Sequence, residues 1–300
     1  MDKIQLLKIV EFIESKFNNV KKINTERILS ISKVINKLEN SDEESLMWLN
    51  EKNKNRIFEI STGTVICSLD SEIPTNPNLS IILVENPRLV FSEILKNFFV
   101  EKQNHKIHSI NNTDNKIGKN VNIGRNTVLE DGVIIGNNTY IGNNNVILKS
   151  TIIGNNVIIG NNNTIGGVGF GYEKNELGEY ELIPHIGNVV IEDNVEIGNN
   201  NCIDRAVLGS TMLRKNCKID NLVHIAHGVD IGENSLIIAN SMIAGSVTIG
   251  ENTWIAPSTS IINKSSVGSN SMTGIGTVVI KNIPNNELHI GIPSKKLKDI

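Results

Sequence analysis

A six-residue period constrains this chain more than any other feature. Aliphatic side chains stand at Ile117, Ile123, Leu129, Ile135, Ile141, Ile147, Ile153, Ile159 and Ile165. After a gap the period resumes at Ile191, Ile197 and Ile203, slips, and then runs from Ile219 through Ile225, Ile231, Ile237, Ile243, Ile249, Ile255 and Ile261 to Val267. Six residues fit neither a helix, with a period of about 3.6, nor a two-sided strand, with a period of about 2. One short strand plus one turn does fit, with the aliphatic residue pointing inward, and three such faces close a triangular coil of about eighteen residues. The chain is therefore expected to build a solenoid.

The residues between the aliphatic positions suit its corners. Gly118, Gly124, Gly136, Gly142, Gly154, Gly160, Gly166, Gly198, Gly232 and Gly250 follow the inward residue, often with Asn behind, as in IGNN. Glycine has no Cβ to oppose a positive φ, and asparagine tolerates it better than most residues. Most of the asparagines are accordingly read as corner residues.

The period breaks twice. GGVGFGYEKNELGEYELIPHIG, residues 166 to 187, inserts charged and aromatic residues and is expected to project as a loop. AVLGSTMLRKN, residues 206 to 216, shifts the phase by four between Ile203 and Ile219. Upstream, residues 1 to 103 read as a small α/β domain: an amphipathic helix near 3 to 17, apolar runs at 28 to 34 and 63 to 69, and a strand, turn and Pro87-started helix in SIILVENPRLVFSEILKNFF. A polar linker is expected at 102 to 115. The expected domains are thus 1 to 103, a candidate nucleotide-binding unit, 104 to 284 for the solenoid with its insertion at 166 to 187, and a short tail at 285 to 300.

Composition excludes several function classes. A net charge of −3, from 29 basic and 32 acidic residues, leaves no electrostatic footprint for nucleic acid. Cys67, Cys202 and Cys217 are odd in number and lack CxxC spacing, which points to free thiols in a reducing compartment. The N-terminal MDKIQLLKIVEFIESKF carries charges through its apolar run, unlike a signal peptide, and no run of about 20 apolar residues appears. A cytoplasmic location is expected.

His224 and His227, in NLVHIAHGVDIG, flank the inward Ile225, with residue 227 near a corner. Imidazole, with an ordinary pKa of about 6.5, is suited to take a proton near neutral pH. A zinc site built from histidines of neighbouring chains needs a further histidine on an adjacent coil, which is missing, so no metal is expected. An ice-binding face needs a regular threonine array, and threonine is sporadic here. Cys202 and Cys217 read as small side chains rather than nucleophiles.

The ordered segments NPRLVFSEILKNF, GGVGFGY, PHIGNVVIEDNVEIGNNNCIDRAVLGST, KIDNLVHIAHGVDIGENSLIIANSMIAGS, TGIGTVV and GIP resemble the UDP-3-O-acylglucosamine N-acyltransferases of lipid A biosynthesis. These are hexapeptide-repeat enzymes with a left-handed parallel β-helix. The resemblance implies transfer of a 3-hydroxyacyl group from acyl carrier protein to the 2-amine of a UDP-linked, O-acylated glucosamine, with no bound cofactor. It implies a homotrimer with clefts between subunits. It places His227 as general base and Gly245, eighteen residues on, as the backbone N–H donor to the oxyanion. His224 is read as a substrate contact or a corner residue. Asp204, Arg205 and Asn221 lie in the resembling segments and are read as substrate contacts. Phe170 and Tyr172 of the insertion are expected to line an acyl or sugar site.

The chain also departs from that family. Lys264 stands where the family has a second histidine. The stretch LMWLNEKNK offers Trp48, Glu51 and Lys54 where the family's uracil pocket has Phe, Asn and Tyr, so Trp48 is the candidate stacking residue. The ending SKKLKDI lacks the family's C-terminal helical extension, which engages carrier protein. Two other readings stay open: an acyl-coenzyme A-dependent N-acyltransferase acting on a UDP- or dTDP-linked amino sugar of a surface polysaccharide, and a non-catalytic trimeric scaffold.

Overall fold

The computed structural model describes residues 3–26, 29–35, 38–99 and 115–299. All of the expected linker except residue 115 lies outside them. The chain divides into two compact units, Met1–Gln103 with Gly171–Ile186, and Asn104–Phe170 with Gly187–Ile300.

The second unit is the left-handed parallel β-helix. Its three faces are parallel sheets of 8, 8 and 10 strands, the last including one antiparallel terminal strand. Most strands are two residues long, as a hexapeptide split between strand and turn requires. Ile134 pairs with Ile152 and Ile135 with Ile153, a register of eighteen residues. The second residue of each pair points inward, and Ile147, Ile165, Ile203, Ile225, Ile243 and Ile261 are all fully buried in one column. Removing each such side chain from water stabilises the fold by about 1.5–3 kcal/mol.

The corners follow from the asparagines. Asn120, Asn126, Asn138, Asn144, Asn156 and Asn162 all adopt φ between 54° and 59°. The asparagines just before several of them form ladders along the axis: Asn155 Oδ1 accepts from the Asn137 N–H at 2.8 Å, and Asn161 Oδ1 from the Asn143 N–H at 2.7 Å. These ladders satisfy turn N–H groups that would otherwise be left to water.

The first unit is α/β. The helix Leu6–Lys16 buries Leu6, Ile9, Val10 and Ile13. A five-stranded sheet has the order Lys21–Ile23, Leu79–Val84, Gly63–Ser68, Ser45–Trp48 and Lys33–Val34. The helix Pro87–Ile94 starts at Asn86, whose side chain accepts from the Leu89 N–H at 3.1 Å.

Two segments lie differently from the expected domain boundaries. Most of the insertion is an antiparallel hairpin, Tyr172–Lys174 with Tyr180–Leu182, that belongs to the first unit. Glu173 pairs with Arg88 at 3.2 Å, and Glu181 pairs with Lys96. Lys96 and Lys16 both reach Glu93, which is only 5% exposed. Burial alone would push the Glu93 carboxyl up, but hydrogen bonds from the two lysines override it and hold it below its ordinary value. The expected tail at 285 to 300 is instead part of the solenoid. Glu287–Ile290 pairs with Met272–Thr273, and Lys295–Asp299 closes that edge with three lysines on an exposed strand. Among the described residues, no helix is long and apolar enough to cross a membrane.

Candidate active site

His227 occupies a corner immediately after the inward Ile225 and the buried Ala226. It is half-buried, and the left-handed Gly228, φ +69°, completes the turn. One coil further on, the Ser246 N–H donates to the His227 carbonyl at 2.9 Å, and the Lys264 N–H donates to the Gly245 carbonyl at 2.9 Å. Residues 227 and 245 therefore stand at successive levels of one edge, and Lys264 follows a level further on, at the left-handed position also held by Gly228 and Ser246.

The His227 ring lies flush against Gly245. A Cβ at residue 245 would meet its Nε2 at 2.7 Å and Cε1 at 2.8 Å. Gly245 does not have a positive φ, so clearance for the imidazole, rather than backbone conformation, requires glycine there. The corresponding N–H groups of several other corners are satisfied by the next coil, as at Asn137, Asn143, Asn155, Asn161, Asn199 and Glu251. No acceptor among the described residues reaches the Gly245 N–H. A half-buried imidazole thus sits beside a backbone donor left unused by the fold, the pair of groups that acyl transfer to an amine requires.

A second pair lies on the outward side of the same sheet. Cys202 pairs with His224, and His224 with Met242. The four-residue slip sets Cys202 and His224 twenty-two positions apart rather than eighteen. His224 Nε2 is 3.8 Å from Asp204 Oδ2, with side-chain exposures of 44% and 15%. Burial raises the Asp204 carboxyl above its usual range, and the neighbouring His224 only partly opposes this. Arg205 is 5% exposed and its Nε donates to the Gly166 carbonyl at 2.6 Å, where the chain leaves the solenoid for the insertion. Burial lowers its guanidinium, with Glu130 acting in the opposite direction.

The remaining sequence-predicted residues have other surroundings. Asn221 is built into the asparagine ladder: its Oδ1 accepts from the Asn199 N–H and side-chain amide at 2.8 and 2.7 Å, and its Nδ2 donates to Asp220. Those bonds build it into the corner. Lys264 is exposed at a left-handed corner, φ 60°. Phe170, 86% exposed, ends the solenoid segment, whereas Tyr172, 38% exposed, starts the hairpin of the first unit. Trp48 packs at 6.0 Å from the Phe91 ring, also in the first unit. No group of three His, Cys, Asp or Glu residues able to hold a metal ion occurs among the described residues.

Sequence reading missed Thr211. It is fully buried, accepts from the Gly228 N–H at 2.9 Å and donates to the Asp204 carbonyl at 2.7 Å. The phase slip that contains it was its only signal.

Comparison with known proteins agrees with this architecture. Residues 116–149 and 132–167 match the bacterial transferase hexapeptide (six repeats) family. UDP-3-O-acylglucosamine N-acyltransferase of Campylobacter lari is 42% identical over 226 residues, 70% of each chain. The enzyme of the same name from Christiangramia forsetii is 51% identical over 82 residues, but that alignment spans only 27% of this chain and 24% of the relative. Among solved structures, UDP-N-acetylglucosamine acyltransferase of Bacteroides fragilis superposes with a TM-score of 0.58 at 26% identity, covering 65% of this chain and 74% of the other. The extended match to the Campylobacter lari protein, together with the coiled framework that carries His227 and Gly245, shows that the chain belongs to the UDP-3-O-acylglucosamine N-acyltransferase family of hexapeptide-repeat acyltransferases.

Proposed function

We propose that the chain transfers an acyl group from a thioester donor to the amine of a UDP-linked, O-acylated glucosamine, with His227 as general base and the Gly245 N–H as oxyanion donor. The observation that carries this reading is the His227 ring lying against Gly245, whose N–H no acceptor among the described residues reaches. The amine nitrogen attacks the thioester carbonyl, and His227 takes the proton that nitrogen must lose to become an amide. The carbonyl oxygen gains negative charge as the tetrahedral intermediate forms, and a preorganised N–H aimed at it is worth about 3 kcal/mol of barrier. Collapse of the intermediate forms the amide and expels the thiolate, to which the imidazolium returns the proton.

Asp204 and His224 lie on the outward side of the same sheet and are proposed to contact the sugar. Arg205 is proposed to support that contact by anchoring the start of the insertion. Lys264, Phe170, Tyr172 and Trp48 are proposed substrate contacts, Trp48 for the base. The proposed donor is acyl carrier protein or coenzyme A carrying the acyl thioester, and the proposed assembly is a cytoplasmic homotrimer. The names of the relatives, which specify a UDP-3-O-acylglucosamine acceptor, support this substrate class.

The experiment incubates the purified protein with acyl-coenzyme A or acyl carrier protein and a panel of UDP- and dTDP-linked amino sugars, and follows thiol release. The proposal expects thiol release with the UDP-linked, O-acylated glucosamine and its collapse in His227→Ala. No turnover with any acceptor would support a scaffold instead, and undiminished turnover in His227→Ala would remove the assigned base.

A further inference from the structure

The four-residue slip at 206 to 216 has a structural product, the placement of Thr211. Regular corners use buried hydroxyls in a repeating way. Thr127 donates to the Gly142 carbonyl at 2.7 Å and accepts from the Asn145 N–H at 3.2 Å; Ser235 donates to the Gly250 carbonyl at 2.7 Å and accepts from the Thr253 N–H at 2.9 Å. In both cases the partners lie fifteen and eighteen residues ahead. Thr211 breaks that rule: it donates seven residues back, to Asp204, and accepts from seventeen ahead, at Gly228.

Both of its partners adjoin the candidate site. Gly228 follows His227 in the same turn, and Asp204 is the carboxylate that faces His224. The hydroxyl is fully buried, so water cannot readily take its place. We infer that Thr211 is a positioning residue, whose hydroxyl locks the His227–Gly228 turn so that the imidazole rests against Gly245. The slip in the repeat is then what lets this hydroxyl reach back to the Asp204 carbonyl, while Met212 and Leu213 keep the regular eighteen-residue register with Asp230 and Ile231 in the coil of His227. This inference rests on the reading of His227 as the base, although the geometric part of it can be tested separately.

The test uses the full-length protein and the variants Thr211→Val, which keeps the shape but removes both hydrogen bonds, and Thr211→Ser, which restores them. Steady-state kinetics, the pH profile of kcat/KM and a crystal structure are measured for each. In Thr211→Val the expected results are a displaced His227 ring, a fall in kcat of tenfold or more, a KM for the nucleotide sugar within threefold of wild type, and a shifted limb in the pH profile. Thr211→Ser is expected to keep kcat within threefold and the ring in place. If Thr211→Val does not fold, Thr211→Ala, which leaves room for a water, replaces it with the same expectations in weaker form. An unmoved ring with kcat within threefold overturns the inference. A displaced ring with full activity, alongside full activity in His227→Ala, leaves the positioning intact and overturns the assignment of the base instead.

Discussion

Replacing Gly245 by alanine perturbs the candidate site by a distance that can be worked from the structure. The added Cβ would stand 2.7 Å from His227 Nε2, whereas ordinary van der Waals contact begins near 3.4 Å. The imidazole must therefore recede by about 0.7 Å, the difference of those two distances. Misplacement of a reacting group by about 1 Å can cost about a hundredfold in rate, equivalent to about 2.7 kcal/mol of barrier. The peptide N–H is retained in the variant, so the loss isolates the position of His227 from the oxyanion donor. Backbone strain does not contribute, because Gly245 lies outside the positive-φ region. We therefore expect Gly245→Ala to lose roughly a hundredfold in kcat while its Tm stays within about 3 °C of wild type, a shift of under about 1 kcal/mol. Thiol-release kinetics and a thermal melt are sufficient. Activity within threefold of wild type would refute the claim that the packed imidazole takes part in the chemistry.

Other outcomes follow from the same geometry. His227→Ala should lower kcat by about a hundred- to ten-thousandfold, the usual worth of a general base, and circular dichroism should show an unchanged fold. Burial raises the Asp204 carboxyl in the folded state, so the folded protein holds that proton more tightly than the unfolded chain does. Its contribution to stability is thus present below its ordinary value of 3.8 and lost as pH rises through the higher folded value. Asp204→Asn should accordingly raise Tm at pH 7 and lose that advantage at acid pH, as a pH series of melts would reveal. Glu93 has the opposite sign: its lowered carboxyl contributes stability above its ordinary value of 4.5 that disappears as pH falls through the folded one. Glu93→Gln should cost the protein roughly 2 kcal/mol at pH 7, a typical value for charge-assisted hydrogen bonds, read from denaturant unfolding of the full chain. Ile225→Ala should cost about 2–5 kcal/mol, because Ile225 is fully buried in the inward column.

Much of the solenoid was legible because one residue in six decides it. Ile147, Ile165 and their successors point inward at a fixed interval, and at many corners an asparagine adopts positive φ while the asparagine before it bonds its counterpart one coil away. The alignment of His227 with Gly245 was legible for the same reason, since eighteen residues return the chain to the same edge. The approach of His224 to Asp204 was not, because it depends on the slip that sets Cys202 opposite His224. Thr211 was hidden for a related reason: its partners lie seven residues behind and seventeen ahead, a pattern no regular coil contains. The hairpin gave no local sign of its place, since Glu181 meets Lys96 across eighty-five residues of sequence. The strand Lys295–Asp299 was equally silent, as KKLKD has no alternation to announce it. The place of Asn221 in the ladder was not legible either, because a ladder asparagine and a substrate-binding one look identical in sequence and only the structure shows its engaged side-chain amide.

Everything proposed for the site turns on amide formation at a nucleotide-linked amino sugar with His227 as the base. The most direct measurement is mass spectrometry of the product formed from UDP-3-O-acylglucosamine and an acyl thioester by the wild-type protein and by His227→Ala side by side. The expected result is an acceptor that gains one acyl group on its 2-nitrogen with wild type and at most about one hundredth of that rate with the variant. Acylation at oxygen, no product at all, or equal rates from the two proteins would contradict it.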